Sequence, residues 1–302
     1  MEDALAREAL TRWSWDRDTA VAPQDSLANA VFAVACGGET CFLRLTDPSW
    51  RSLADTEVEL AFVAHLSSRG VRVALPIASL AGRMVENVRG SAAVLFRCAP
   101  GLHVEPSDPD WCEDLFREWG RTMARQHEAA RAFSAPSVSW RDDWRLEPAM
   151  RDGLAAIEAR DAELSRASAH LLSELERYGS ALGETGMIHA DLAPQNFRYD
   201  RTTGITTFDF ANCCRHWFLY DFAVSCYALR RVPERDRLAA WLADGYREQR
   251  PLPGDPDLMG LLLRLRTLYV YCDRLKQFGA TPGADGLATL REIRGRFLRD
   301  PL

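Results

Sequence analysis

The sequence predicts an α+β fold in two lobes, a small antiparallel β-sheet lobe over residues 1–98 and a larger helical lobe over 99–302, joined as one unit. Three observations predict it. Short apolar segments separated by Gly- and Pro-bearing turns cluster before residue 98. Helical periodicity takes over at Trp111 and dominates to the end of the chain. Between the helical stretches lies Met187–Asp221, MIHADLAPQNFRYDRTTGITTFDFANCCRHWFLYD, where polar residues recur inside an apolar strand-turn-strand.

Residues 3–13 form a short helix, with Ala4, Leu5 and Ala9 near one face. Ser26 to Val34 begins a strand, Cys36-Gly37-Gly38-Glu39 turns, and Thr40 to Leu45 returns as a second strand. From Ser52 to Arg69, Leu53, Leu60, Phe62, Val63 and Leu66 fit an amphipathic helix that ends at Gly70. Val71–Pro76, Met84–Val88 and Ala92–Arg97 are the strands expected to complete a five-stranded sheet, and Cys98-Ala-Pro-Gly101 breaks the pattern. A helix runs from Trp111 to Phe133, its stripe made of Leu115, Trp119, Met123 and Gln126/His127. The connector Trp140-Arg-Asp-Asp-Trp144 leads to helices at about 146–163 and 166–180, and Gly183 and Gly186 end them. After Asp221, helices are expected at Phe222–Arg231, Arg235–Arg250, Asp257–Gln277 and Gly286–Leu298.

A chain of 302 residues can bury a large core, and 47% hydrophobic with 26% charged residues suits a soluble globular protein. The longest apolar runs are interrupted by Arg or Asp, so no membrane span is expected, and the acidic start MEDALAREAL is no secretory signal. The eight cysteines lack a C-x-x-C pair, which points to reduced, mostly buried thiols and a cytoplasmic protein rather than a zinc site. Residues 230–302 carry 14 basic and 10 acidic side chains, net +4; the remainder is net −10, which sums to the stated −6. Neither part has the basic stripe of a nucleic-acid binder. Lys276 is the sole lysine.

The central stretch contains His189-x-Asp191-Leu192-x-x-x-Asn196, and Asn196 is one of only four asparagines, so abundance does not explain its place. Phe197–Asp200 and Ile205–Phe208 read as short strands around Arg201-Thr-Thr-Gly204, whose glycine can adopt φ > 0. Such a hairpin returns Asp209 toward Asn196. A carboxylate and an amide five residues apart, with a second carboxylate one hairpin later, suit phosphoryl transfer. Asp191 would accept the proton of an attacking hydroxyl, and Asn196 and Asp209 would hold Mg²⁺ on nucleotide phosphates. The competing reading is an Asp capping a turn, an Asn in a loop and an unrelated third Asp.

IHADLAPQN followed by TFDFANCCRHWFLYDFA resembles the aminoglycoside phosphotransferase and choline kinase superfamily, whose pattern is H-G-D-x-x-x-x-N, an apolar strand, I-D-F/W and a later D-h-A. The resemblance implies a protein-kinase-like fold, ATP and Mg²⁺ as cofactors, Asp191 as base, Asn196 and Asp209 as metal ligands, and Asp221 as a buried buttress of the loop. It places a phosphate-covering loop near Ser26. Arg44 of Phe-Leu-Arg-Leu takes the position of the usual strand lysine, and its charge and bidentate geometry suit phosphate. Glu59 is the expected partner of Arg44, with Glu57 as the competing choice; an exposed strand residue is the alternative for Arg44. Phe96 and Cys98 border the implied adenine-binding hinge. Gly120-Arg-Thr-Met-Ala124-Arg-Gln-His127 resembles the family's G-x-x-x-A-x-L-H helix, and His127 and His189 are expected as structural histidines. Asp209-Phe210-Ala211 departs from the D-F-D or D-F-E of many relatives and makes the implied metal site less negative.

The expected acceptor is a hydroxyl of a small molecule: an amino alcohol, amino acid, sugar or aminoglycoside. Trp241, Tyr246, Tyr269, Tyr271 and Asp273 are candidates to line its site, although aromatic residues at helical spacing are usually core. The net positive charge of residues 230–302 lowers the expectation of a polycationic aminoglycoside. The alternatives are a Ser/Thr protein kinase of the bacterial stress-response type and a non-catalytic nucleotide-binding protein. A monomer or homodimer is expected, with no nucleic-acid or membrane partner.

Overall fold

The computed structural model describes residues 2–15, 19–24, 29–36, 38–137, 139–279 and 282–299; Ser26 and Gly37 lie outside the described residues. In chain order the elements begin with α1 (Glu2–Leu10), β1 (Ala22–Gln24), β2 (Ala30–Cys36), β3 (Glu39–Thr46), α2 (Leu53–Ser68), β4 (Glu86–Val88) and β5 (Ser91–Arg97). Then come α3 (Glu113–Ala130), α4 (Pro148–Arg160), α5 (Ala162–Arg177), β6 (Thr185–Ile188), β7 (Phe197–Asp200), β8 (Gly204–Thr207) and β9 (Cys214–Trp217). The last four are α6 (Leu219–Leu229), α7 (Arg235–Arg247), α8 (Met259–Phe278) and α9 (Ala284–Arg299). They group into two units: Met1–Leu102 with Ser134–Ser139 and Phe197–Ala211, and His103–Phe133 with Trp140–Asn196 and Asn212–Leu302.

In the first unit, β1-β2-β3-β5-β4 form an antiparallel sheet. Strand alternation sorts its side chains onto two faces. Cys41, Leu43 and Leu45 of β3, with Ala93 and Leu95 of β5, pack with Ala6, Ala9, Leu10 and Trp13 beside α1. Ala92 and Val94 point the other way and pack with Leu60 of α2, against which Phe96 also rests. Arg44, between Leu43 and Leu45, therefore faces α2. That helix starts with a capping box in which Ser52 and Asp55 satisfy each other's main-chain N–H groups.

The sheet has the expected five strands, with one member different. The additional strand is Ala22–Gln24, and Val71–Pro76 is an extended link instead. The N–H of Ala74 donates to Thr207 and the carbonyl of Arg72 accepts from it, whereas Leu75 and Ile77 pair with Arg97 and Leu95. Pro76 has no N–H to donate, so hydrogen bonds split between two partners and no continuous ladder forms. The β7–β8 hairpin forms as expected. Gly204 adopts φ 84°, and Asp200 Oδ1 accepts from the N–H groups of Thr202 and Thr203.

In the second unit, α3 and α7 cross at two glycines. A Cβ on Gly120 would sit 2.0 Å from the Leu242 carbonyl oxygen, and one on Gly245 would sit 2.0 Å from that of Arg117. No larger residue permits that backbone approach. Strands β6 and β9 pair antiparallel, Gly186 opposite His216 and Ile188 opposite Cys214. Among the described residues no helix is long and apolar enough to cross a membrane, and Cys41, Cys98, Cys112, Cys213, Cys214, Cys226 and Cys272 are free thiols. Burial pushes the Cys226 thiol up to about 11 and that of Cys272 up to about 12, so both pack as neutral groups.

Candidate active site

Strand β6 ends at Ile188 and delivers the loop His189-Ala190-Asp191, which is anchored from beneath by a fully buried carboxylate. Asp221, in the first turn of α6, accepts from the N–H of Ala190 at 2.9 Å and of His189 at 3.3 Å. It also meets His127 Nε2 at 3.1 Å. Burial lowers the pKa of His127, only partly opposed by Asp221, so the ring is neutral near pH 7. A neutral ring facing a carboxylate carries its proton on Nε2, which leaves Nδ1 to accept the Tyr246 hydroxyl at 2.9 Å. His127 is thus a satisfied core histidine, and Asp221 has the buttress position. Ala190 adopts φ 61°, a left-handed conformation that costs a residue with a Cβ about 1 kcal/mol. The hydrogen bonds to Asp221 hold it there.

Asn196 closes the loop. Its side-chain amide donates to the Asp191 main-chain carbonyl at 2.8 Å and to Asp191 Oδ2 at 3.0 Å. Both amide hydrogens being engaged, the carbonyl oxygen is the atom of Asn196 left to serve as a ligand. The other Asp191 oxygen, Oδ1, accepts from Arg266 Nη2 at 2.5 Å, and Arg266 Nη1 reaches the Ala190 carbonyl at 3.3 Å. Burial opposes the charge on Arg266, but the neighbouring Asp191 more than offsets it, and the guanidinium pKa is raised.

In the first unit Arg44 and Glu59 form a bidentate pair, Nη1 to Oε1 at 2.8 Å and Nη2 to Oε2 at 3.0 Å, with both side chains buried. Glu57 is exposed, which settles the choice between the two glutamates. Phe96 lies beneath the guanidinium, 5.2 Å from its ring centre. Asp209 Oδ1 is 3.8 Å from Arg44 Nη1, with its side chain 46% exposed. Its φ is 59°, and the next residue, Phe210, is buried edge-on against Phe62 of α2 at 6.0 Å. Burying Phe210 turns the preceding carboxylate outward. Arg44, Glu59, Phe96 and Asp209 therefore share one cluster. Cys98 is half-buried just past β5, its thiol 3.5 Å from the Ala99 carbonyl.

Two cavities open in the second unit. One of about 20 Å³ is bordered by Ala190, Asn212, His216, Tyr220, Arg266 and Tyr269, together with Trp144, Glu147 and Met150. The other, about 450 Å³, is apolar; it shares Trp144 and Met150 and adds Leu154, Leu172, Leu175 and Trp217. Of the residues proposed to line the acceptor site, Tyr269 borders the smaller cavity and donates to Asn212 Oδ1 at 3.3 Å. Tyr246 is core, and Trp241 stacks toward Phe116. Asp273 is half-buried beside Gln277, which donates to it at 2.8 Å, and desolvation pushes its carboxyl up to about 6.

Sequence reasoning did not single out Arg266 or His216. Arg266 is one of several arginines on α8 and its partner is 75 residues away, so nothing local marks it. His216 carried a signal: it sits two residues from buried Cys214 on β9, hence on the same face.

Comparisons with known proteins identify the family and the fold. A family model described as the APH phosphotransferase enzyme family matches residues 19–259. Amicoumacin kinase of Bacillus subtilis (strain 168) is 28% identical over 288 residues, covering 89% of this chain and 84% of the relative. A homoserine kinase of Sinorhizobium fredii is 30% identical over 236 residues, covering 74% and 68%. Among solved structures, an amicoumacin kinase in complex with AMP-PNP, Ca²⁺ and Ami superposes with a TM-score of 0.85 over 99% of this chain and 94% of that one, at 24% identity. The kinase-like fold is shared, and the chain belongs to the APH phosphotransferase enzyme family.

Proposed function

We propose that this chain transfers the γ-phosphoryl group of ATP to a hydroxyl of a small molecule, with Asp191 accepting the hydroxyl proton and Asn196 and Asp209 holding a magnesium ion. The observation that carries it is the double hydrogen bond from the Asn196 amide to Asp191, which fixes the carboxylate and leaves an amide oxygen for a cation. Two relatives are named as kinases of small molecules, amicoumacin and homoserine. The donor set suits magnesium. Among the described residues no cluster of three or more His, Cys, Asp or Glu could hold a metal. An amide oxygen plus one carboxylate matches an ion that completes its shell with phosphate oxygens and water. The Ca²⁺ and AMP-PNP of the related kinase fit the same chemistry. When bound, the ion neutralises charge on the phosphates.

The chain's own residues supply the rest. Glu59 holds the Arg44 guanidinium in place, so its charge is fixed before nucleotide binds. Arg266 and Asn196 grip both oxygens of Asp191, so its orientation is set before the acceptor arrives. The catalytic work is positioning and electrostatics, with no covalent intermediate. The test is ATP-dependent phosphorylation of a metabolite pool read by mass spectrometry, with Asp191→Asn as control. A phosphorylated hydroxyl compound absent from the control is expected. Label appearing only on a protein serine, or ATP bound without turnover, would reject the small-molecule acceptor.

A further inference from the structure

The smaller cavity has a feature that phosphoryl transfer does not use. His216 is 3% exposed. Its Nδ1 accepts the main-chain N–H of Trp217 at 2.8 Å. An acceptor at Nδ1 fixes the proton of a neutral ring on Nε2. The ring is neutral near pH 7, because burial holds its pKa well below the usual value. The resulting Nε2–H donor is buried and meets no protein acceptor among the described residues. The ring cannot turn to find one, since it stacks on Tyr220 at 4.0 Å and lies 4.9 Å from Trp144.

A second donor borders the same cavity. Arg266 commits its terminal nitrogens to Asp191 and Ala190, and no protein acceptor meets its Nε–H within hydrogen-bond geometry. Buried donors of this kind are uncommon and costly in folded proteins, and they are retained where something else supplies the acceptor. The cavity, about 20 Å³, admits a single oxygen-bearing group rather than a whole metabolite. Its wall includes Ala190, next to Asp191, and Arg266 touches Asp191 directly.

We propose that this cavity recognises a carbonyl or carboxylate oxygen of the acceptor molecule through His216 Nε2–H and Arg266 Nε–H, so that the preferred acceptors are hydroxy acids or hydroxy amides rather than plain amino alcohols. The proposal rests on the phosphotransferase reading for the position of the reacting hydroxyl. The recognising donors are the cavity's own. Glu147, which also lines the cavity, caps α4, its Oε2 accepting from the N–H of Met150 at 2.8 Å. His216 would determine specificity without a part in the phosphoryl transfer, whereas Arg266 would do so through its Nε–H while its terminal nitrogens position Asp191.

Three acceptor probes isolate the oxygen. Homoserine and 3-amino-1-propanol differ only in the carboxylate, and 4-hydroxybutanoate keeps the carboxylate without the amine. Wild-type protein is expected to favour the two carboxylates in kcat/KM by about a hundredfold over 3-amino-1-propanol. His216→Phe keeps the stacked ring and removes the donor. It is expected to raise KM for the carboxylates about tenfold or more, with kcat nearly unchanged and 3-amino-1-propanol unaffected. Arg266→Lys keeps a charge beside Asp191 but loses the Nε–H, and should raise the same KM values. For His216→Phe, equal effects on all three probes, or none, would overturn the proposal; Arg266→Lys also disturbs Asp191 and lowers kcat on every probe, so an unchanged KM for the carboxylates is the result that overturns it there.

A binding measurement separates this proposal from the reaction. In protein labelled with ¹⁵N-histidine, the His216 Nε2–H resonance, identified by its loss in His216→Phe, is followed as sodium formate is added against sodium chloride at equal ionic strength. A saturable shift specific to formate supports the cavity's role even if no probe is phosphorylated. No formate-specific shift, as expected if the cavity holds a water molecule only, overturns it even if the chain proves an active kinase.

Discussion

Each of the two units carries an arginine paired with a carboxylate, and the two pairs do different work. Arg44 and Glu59 face each other from a strand and a helix, bidentate and buried. Arg266 reaches a single oxygen of Asp191, whose other oxygen belongs to Asn196. In the proposed reaction the carboxylate of the first pair serves the arginine, holding it ready for phosphate, and the arginine of the second serves the carboxylate, holding it ready for a proton. A buried ion pair is thus no measure of stability by itself, and what the pair presents to its surroundings decides its use.

Substitutions can break the comparison. The largest effect is expected from Asp209→Ala, which removes the carboxylate beside Arg44 and should cut kcat by about 10³-fold with the fold intact. Purified variant assayed at saturating ATP and magnesium checks it. Next, Arg44→Ala should destabilise the protein by about 3–5 kcal/mol because Glu59 stays buried without its bidentate partner. The double change Arg44→Met with Glu59→Leu should recover most of that stability without recovering activity. Denaturant unfolding and a kinetic assay run side by side would show whether the pair is there for phosphate or for the fold. For the second pair, Arg266→Met should lower kcat about tenfold or more while leaving the KM for ATP unchanged. An altered ATP KM would mean that Arg266 serves the nucleotide instead.

A smaller effect contrasts these pairs with a half-buried carboxylate, Asp273, 4.0 Å from Arg274. Asp273 titrates near 6 in the folded protein because burial disfavours its charge, against an ordinary value of 3.8. Between those values the unfolded chain has released the proton and the folded chain still holds it. Stability therefore falls as pH rises from about 4 to about 6, by up to about 3 kcal/mol. Asp273→Asn should raise Tm at pH 7.5 and change it little at pH 4, as read by thermal unfolding at both values.

Much of the first unit was legible in the sequence. The resemblance put Arg44 in the place of the usual strand lysine and offered Glu59, with Glu57 competing, as its partner; burial then chose Glu59. The β7–β8 hairpin followed from one glycine placed for φ > 0. Val71–Pro76 misled because its apolar alternation is real, while its main-chain partners are divided between Thr207 and β5. In the second unit the loop from His189 to Asn196 could be read, since its contacts are local or reach Asp221 within one motif. The contribution of α8 could not. Arg266 meets its partner across 75 residues, and helical periodicity says which face is buried but not which arginine on it finds a carboxylate.

The central claim concerns Asp191, and one measurement reaches it most directly: kcat and the KM for ATP of Asp191→Asn, determined with whichever acceptor the wild-type protein phosphorylates. The amide keeps the shape and can still meet Asn196, but it cannot accept the proton, so kcat should fall by about 10²- to 10⁴-fold with the KM for ATP little changed. A variant that retains kcat within threefold of wild type would contradict the assignment of Asp191 as the base.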